Sequence, residues 1–190
     1  MFAKILVFCF SFFLLSDLGF AGNCPKIVTK RQWGGRTAKA VDYQTLPVEN
    51  VIIHHTVSQK CDTESLCSNY IKNIQEYHMD QLDYDDIGYN FLVGNDGNVY
   101  EGCGWHKVGA HTYGYNRNSM AIAFVGNFDE ELPPQSALNA AKKLLSCGVQ
   151  KGELHRRYKL VAARQISSTE SPGRKLFVEL QDWDHYKSKI

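Results

Sequence analysis

The sequence has almost no surplus of charge: 21 lysines and arginines stand against 20 aspartates and glutamates, a formal +1 at neutral pH. Without a cationic excess there is little to neutralise phosphates or to hold the chain at an anionic membrane, so nucleic acid is not an expected partner. Internal repeats and linker-like tracts are missing too, and proline occurs only five times in 190 residues. These absences exclude collagen-like and disordered chains. Past the N-terminal segment there is no apolar run near the roughly 20 residues a spanning helix needs. What is there, 44% hydrophobic and 22% charged residues, is the composition of one globular domain with a substantial core.

The N-terminal segment is set aside first. Lys4 precedes an apolar stretch from Ile5 to Leu15, and Gly19-Phe20-Ala21 supplies small residues for cleavage. The stretch is too short for a membrane anchor and reads as a secretory signal over residues 1–21, leaving one domain over 22–190. The expected location is secreted and extracellular, with no membrane anchor.

Secretion changes the meaning of the cysteines. Cys9 leaves with the signal, so Cys24, Cys61, Cys67, Cys103 and Cys147 remain where thiols tend to pair. Spacing alone favours only the short Cys61–Cys67 loop. A Cys24–Cys147 bridge would pin the N-terminal arm to a late helix, and Cys103 would then be the spare, as a free thiol or an intermolecular link.

Val51-Ile52-Ile53 reads as a buried strand ending in two histidines. From Thr63, a plausible N-cap, Leu66, Tyr70, Ile71, Ile74 and Tyr77 recur at helical spacing and predict a helix ending near Asp80 with one apolar face. Ile87–Gly94 and Asn98–Glu101 flank Asn95-Asp96-Gly97, a hairpin signal. Met120–Val125 suits a central strand. Pro133-Pro134 opens a second helix whose inward stripe is Leu138, Ala141, Leu144, Leu145 and Val149, stopped by Gly152. A short strand over Tyr158–Val161 follows. Ser171-Pro172-Gly173 then predicts a third helix, with Ser171 as N-cap and Leu176, Phe177 and Leu180 buried. The order implies an α/β fold, a central mixed sheet flanked by three helices.

His54 and His55 close a buried strand, where ligand sites often meet a rigid scaffold. Adjacent strand residues point to opposite faces, so at most one should line a given pocket unless the backbone turns there. His106, His155 and His185 sit in polar or terminal contexts and read as structural.

Val-Ile-Ile-His-His-Thr at 51–56, Asp-Ile-Gly-Tyr-Asn-Phe at 86–91, Tyr-Glu-Gly-Cys-Gly-Trp at 100–105, Gly-Ala-His-Thr at 109–112 and Ala-Phe-Val-Gly-Asn-Phe at 123–128 resemble the peptidoglycan recognition proteins. Order and spacing match from Cys24 to the C-terminus, nearest the short, secreted insect SA type. The resemblance implies the N-acetylmuramoyl-L-alanine amidase-like fold, with a ligand groove over the sheet.

Catalytic members of that family hold zinc through the first histidine of His-His-Thr, a histidine in Gly-His-Arg-Gln and a cysteine in Thr-Glu-Cys-Pro-Gly. A hydrolytic zinc site needs about three protein ligands and an open water position. Here His54 matches the first, but the others read Ala163 and Ser171. The resemblance therefore implies no zinc, no other cofactor and no amidase activity, and it leaves Tyr89, at the position of the family's catalytic tyrosine, with no metal-bound intermediate to assist. A competing expectation is a serine-type peptidoglycan carboxypeptidase, with Ser171 as nucleophile and His54 as base. It lacks any carboxylate recognisable from sequence to orient His54.

Carried onto matching positions, the groove residues are His55, Thr56, His78, Asp83, Tyr84, Tyr89, His111, Tyr113 and Asn116. Tyrosine and histidine faces suit sugars and alanine methyls, while threonine and asparagine suit peptide amides. Members that favour diaminopimelate stems tend to carry Gly-Trp at 83–84 and arginine at 103, which would pair with the extra carboxylate. Asp83-Tyr84 and Cys103 depart from both, so a lysine-type stem is the expected ligand, with Asp83 a candidate partner for its ammonium. The implied role is a pattern-recognition receptor of innate immunity, with peptidoglycan as ligand. A glucan-binding-like recognition protein and a serine protease are its implied partners in a cascade toward Toll activation.

Overall fold

The computed structural model describes residues 24–189, so the expected signal over residues 1–21 lies outside the described residues. Six strands form one mixed sheet: β1 (Ile27–Val28), β2 (Val48–His55), β3 (Phe91–Val93), β4 (Val99–Glu101), β5 (Ser119–Phe124) and β6 (Leu154–Ala162). Their spatial order is β1-β4-β3-β5-β2-β6. Only the β3–β4 hairpin is antiparallel. Its turn fits the residues: Gly97 has φ 79°, and Asp96 Oδ1 accepts from the Asn98 N–H. β3 starts later than the apolar run suggests because the Asn90 side chain bonds backbone from both sides. Its Oδ1 accepts from the Ala121 N–H, and its Nδ2 donates to the Gly104 and Lys107 carbonyls.

Three helices cover the sheet: α1 (Glu64–Glu76), α2 (Gln135–Gln150) and α3 (Arg174–Leu180). Alternate residues of β5 and β2 divide the core. Ile122, Phe124 and Ile53 pack with Leu138, Leu144, Leu145, Leu176 and Leu180 of α2 and α3. Ala123, with Leu92 and Tyr100, packs with Cys67 and Ile71 of α1. Thr63 caps α1 by accepting from the Leu66 N–H. The innermost positions of α1 are Cys67, Ile71 and Gln75, four residues apart, so Leu66, Tyr70, Ile74 and Tyr77 form a second, half-covered stripe rather than the buried face. A wider π turn, Tyr77–Gln81, continues the helix.

Two expectations change. The last strand begins at Leu154 rather than Tyr158. It lies at the sheet edge, and its register against β2 shifts between Val48 and Asn50, so half-buried His155 and exposed Arg156 and Arg157 interrupt the apolar run. Ser171 is also not the cap of α3. The helix begins at Arg174, whose N–H is served by Asp129 Oδ1, while Phe128 O accepts from the Lys175 N–H. Gly173 (φ 91°) makes that approach: a Cβ there would stand 2.5 Å from the Phe128 carbonyl carbon.

Disulfides join Cys24 to Cys147 and Cys61 to Cys67. Cys103 is a buried free cysteine with Sγ 3.8 Å from the Lys107 carbonyl, and burial pushes its thiol up to about 12. An intermolecular link through Cys103 is thereby corrected: the thiol is neither accessible nor ionised.

Candidate ligand cleft

Two adjoining hollows of about 420 and 360 Å³ open where β2 leaves the sheet, and they share Thr56 and Tyr89. The larger runs along α1, between Tyr70, Asn73, Ile74 and Tyr77 on the helix and Ser58 and Gln59 on the loop after β2. The smaller lies over His54, His55 and His111 and is closed by Ser167, Thr169, Glu170 and Ser171. Both strand histidines line it, against the alternation rule. The hollow lies across the end of β2, where the side chains of both faces reach the rim.

The floor is a run of aromatic rings. Centroids lie 5.4 Å apart for Tyr84–His78, 5.5 Å for His78–Tyr89, 5.4 Å for Tyr89–His54 and 5.7 Å for His54–His111. Each imidazole is anchored by a hydrogen bond. His78 Nδ1 accepts from the Gly88 N–H at 3.0 Å, His55 Nδ1 from the Phe128 N–H at 3.3 Å, and His54 Nε2 lies 3.2 Å from Thr112 Oγ1. Thr56 Oγ1 accepts from the Gly126 N–H and contacts Ser58 Oγ.

Burial holds these rings neutral. It carries His54 well below the ordinary range, with His111 and His55 adding to the effect; it lowers His55 and His78, and it takes His111 to about 3. Burial also pushes Tyr89 up to about 12, so its hydroxyl stays a donor. An uncharged aromatic floor with fixed polar edges is suited to neutral sugars and amides.

Of the expected groove residues, the structure brings His55, Thr56, His78, Tyr89 and His111 into the two hollows, with Tyr84 against His78. Three stand apart. Tyr113 is fully exposed at a loop tip. Asn116 turns its Oδ1 inward, accepting from the His111 and Thr112 N–H groups. Asp83, in the left-handed region at φ 55°, pairs through Oδ1 with Lys39 at 3.1 Å and keeps its side chain exposed outside the two hollows. The second stripe of α1, with Ser58, Gln59 and Asn73, was not predicted. The signal for the stripe was an apolar arc wider than one buried face needs.

The zinc positions do not fit a metal. Ala163 is wholly buried against Ile52 and Val161 and offers no donor. Ser171 Oγ accepts from the His55 backbone N–H at 3.0 Å. Among the described residues no group of three or more His, Cys, Asp or Glu could hold an ion. Among the described residues no hydrogen bond joins Ser171 to His54: Ser171 Oγ accepts from the His55 N–H, and His54 Nε2 meets Thr112 Oγ1. No carboxylate hydrogen-bonds His54 among the described residues, so the serine peptidase expectation gains no support.

Comparison with known proteins matches residues 44–174 to the N-acetylmuramoyl-L-alanine amidase family. Peptidoglycan-recognition protein SA of Drosophila melanogaster is 53% identical over 166 residues, 87% of this chain and 82% of the relative. A solved Drosophila peptidoglycan recognition protein SA superposes with a TM-score of 0.86 at 52% identity, covering 88% of this chain and 96% of that one. Peptidoglycan recognition protein LE, solved in complex with tracheal cytotoxin, a monomeric diaminopimelic acid-type peptidoglycan, superposes with a TM-score of 0.84 at 42% identity, covering 85% and 96%.

Proposed function

The chain belongs to the N-acetylmuramoyl-L-alanine amidase family, among its peptidoglycan recognition proteins, and from that membership we propose that it is a secreted receptor that binds bacterial peptidoglycan without hydrolysing it. The observation that carries the reading is the split between an intact cleft and a lost metal site. The ring floor from Tyr84 to His111 remains continuous, while two of the three family zinc positions are Ala163 and Ser171. One imidazole cannot hold zinc against water.

The ligand-contacting residues in this reading are His55, Thr56, His78, Tyr84, Tyr89 and His111. Asp83, Tyr113 and Asn116 act around the rim, Asn116 by holding the loop that carries His111. A lysine-type stem is the preferred ligand. A diaminopimelate carboxylate would need a cation at position 103, where a buried thiol stands. Residues 1–21 are the signal peptide and 22–190 the recognition domain. Among the described residues no helix is long and apolar enough to cross a membrane. Downstream, the bound receptor engages a glucan-binding-like recognition protein and a serine protease that lead to Toll activation in innate immunity.

The test is incubation of the purified protein with lysine-type and diaminopimelate-type peptidoglycan, with and without zinc, followed by pull-down and mass spectrometry of soluble fragments. Binding without new fragments, stronger for the lysine type, is expected. Lactyl-alanine cleavage, or release of a terminal D-alanine that Ser171→Ala abolishes, would overturn the non-enzymatic reading.

A further inference from the structure

β6 ends the sheet, and among the described residues its outer side is paired at a single point. The Leu160 N–H donates to the His185 carbonyl and the Lys187 N–H to the Leu160 carbonyl, both at 2.9 Å, which makes one bridge between Leu160 and Tyr186. Outward-directed backbone groups alternate along a parallel edge, so the next in line belong to Tyr158 and Arg156. Among the described residues no segment outside the sheet takes them up. Here the turn that follows α3 stands off the strand. It leaves a hollow of about 380 Å³ between itself, Arg156 and Tyr158 of β6, and α2.

The two faces of this edge differ. Arg156 and Tyr158 line the α2 side, where Leu145, Val149 and Trp183 make an apolar floor. Asp182 and Asp184 on the far lip offset Arg156, so the hollow favours an uncharged side chain. Alternation puts Arg157 and Lys159 on the other face, that of Val161, and both are exposed. Among the described residues no carboxylate pairs with Arg156, Arg157 or Lys159. A second copy of the strand would bring these cations against their like, so the edge does not suit pairing with itself.

From this arrangement we propose that the β6 edge over residues 156–159 is a docking edge for an extended segment of a protein partner in which acidic residues alternate with apolar ones. The segment adds as a further strand. Its backbone takes up the free groups of Arg156 and Tyr158, an apolar side chain enters the hollow, and acidic side chains on the other face pair with Arg157 and Lys159. Exposed cations on an edge ordinarily keep strands apart, and an acidic segment is the kind they admit. Lys159 lies beside Asn50 near the start of β2, roughly 17 Å along that strand from His55 at about 3.3 Å per residue, so partner and cleft ligand fit at once. The proposal does not depend on what the cleft binds.

The test follows amide chemical shifts of the ¹⁵N-labelled mature protein with a blocked peptide, acetyl-Thr-Glu-Val-Glu-Val-Glu-Thr-amide. Shifts are expected at Arg156, Tyr158 and the Trp183 indole, with the cleft signals of His54 and His111 unmoved. Peptides N-methylated on the valines or on the glutamates separate strand addition from simple adhesion. Only one phase turns its N–H groups toward β6, so one should lose binding and the other keep it. Arg157→Glu with Lys159→Glu should weaken the parent peptide about ten-fold, gain the peptide with lysine in place of glutamate, and leave peptidoglycan pull-down unchanged. Heptaglutamate moving the same amides as strongly overturns the proposal in favour of a polyanion strip. An equal effect of the two N-methylated phases overturns it, as does an absence of shifts with every peptide, and peptidoglycan binding stands in each case.

Discussion

Ser171 Oγ accepts a hydrogen bond from the backbone N–H of His55 at 3.0 Å, across 116 positions of sequence. His55 is the last residue of β2, and its N–H is one that no further strand partner takes up. The hydroxyl at the former cysteine position thus ties the loop before α3 to the strand end carrying both cleft histidines. A buried N–H without an acceptor is costly, so this contact gives Ser171 a structural task that its place in the metal motif would not suggest.

Removing that acceptor should be felt in stability and not in chemistry. Ser171→Ala is expected to cost about 1–3 kcal/mol, the range for stranding a buried polar group, read as a lowered urea midpoint with an unchanged slope. Peptidoglycan pull-down should persist. If the midpoint stayed at the parent value, the hydroxyl would not be the group satisfying His55.

Rebuilding the donors tests the argument about zinc from the opposite side. Ala163→His combined with Ser171→Cys should retain zinc through dialysis, whereas the parent and each single variant should lose it, because about three protein ligands are needed. Elemental analysis of samples with matching circular dichroism decides the point. Zinc kept by the parent itself would contradict the assignment.

Much of this was legible in the sequence. β2, β5 and α2 carry apolar patterns that tertiary contacts reinforce, and the Asp96-Gly97 turn announces its hairpin. The misreadings have local causes. Ser171-Pro172 resembles a helix start, but Asp129 and Phe128, over forty positions away, supply the acceptors that let α3 begin two residues later. β6 was cut short because an edge strand need be apolar only where it is covered. That Asn116 Oδ1 also braces the His111 loop was not legible, because a loop asparagine that bonds nearby backbone has no distinct pattern. The ordered family motifs brought the cleft histidines together on the page, while the pairing of Asp83 with Lys39 depends on a chain crossing that no motif records.

Acid should unfold the protein through its cleft histidines. Unfolded, His54 and His111 take up protons near 6.5; folded, His111 does so only at about 3 and His54 well below its ordinary value. Below pH 6.5 the unfolded chain therefore binds more protons, and stability falls as pH falls until the folded values are reached. Each such histidine contributes about 1.4 kcal/mol per pH unit in that window. Urea midpoints measured from pH 8 to pH 4 should be flat above about 7 and decline below it. The decline should be shallower in His111→Gln, and an equal slope in that variant would contradict the assignment of His111 as neutral and buried.

The two stripes of α1 should separate stability from recognition. Ile71 is wholly buried, so Ile71→Ala should cost about 2–5 kcal/mol by opening a cavity between the helix and the sheet. Tyr77 is 56% exposed at the edge of the larger hollow, with its ring 6.1 Å from that of His78. Tyr77→Ala should therefore change stability by no more than about 0.5 kcal/mol, yet weaken muramyl-peptide binding several-fold by removing a flat apolar wall. Denaturation curves and titration calorimetry on the two variants make the comparison. Parent-like affinity in Tyr77→Ala would mean that the ligand does not reach the helix, leaving the hollow over His54 and His111 to carry recognition alone.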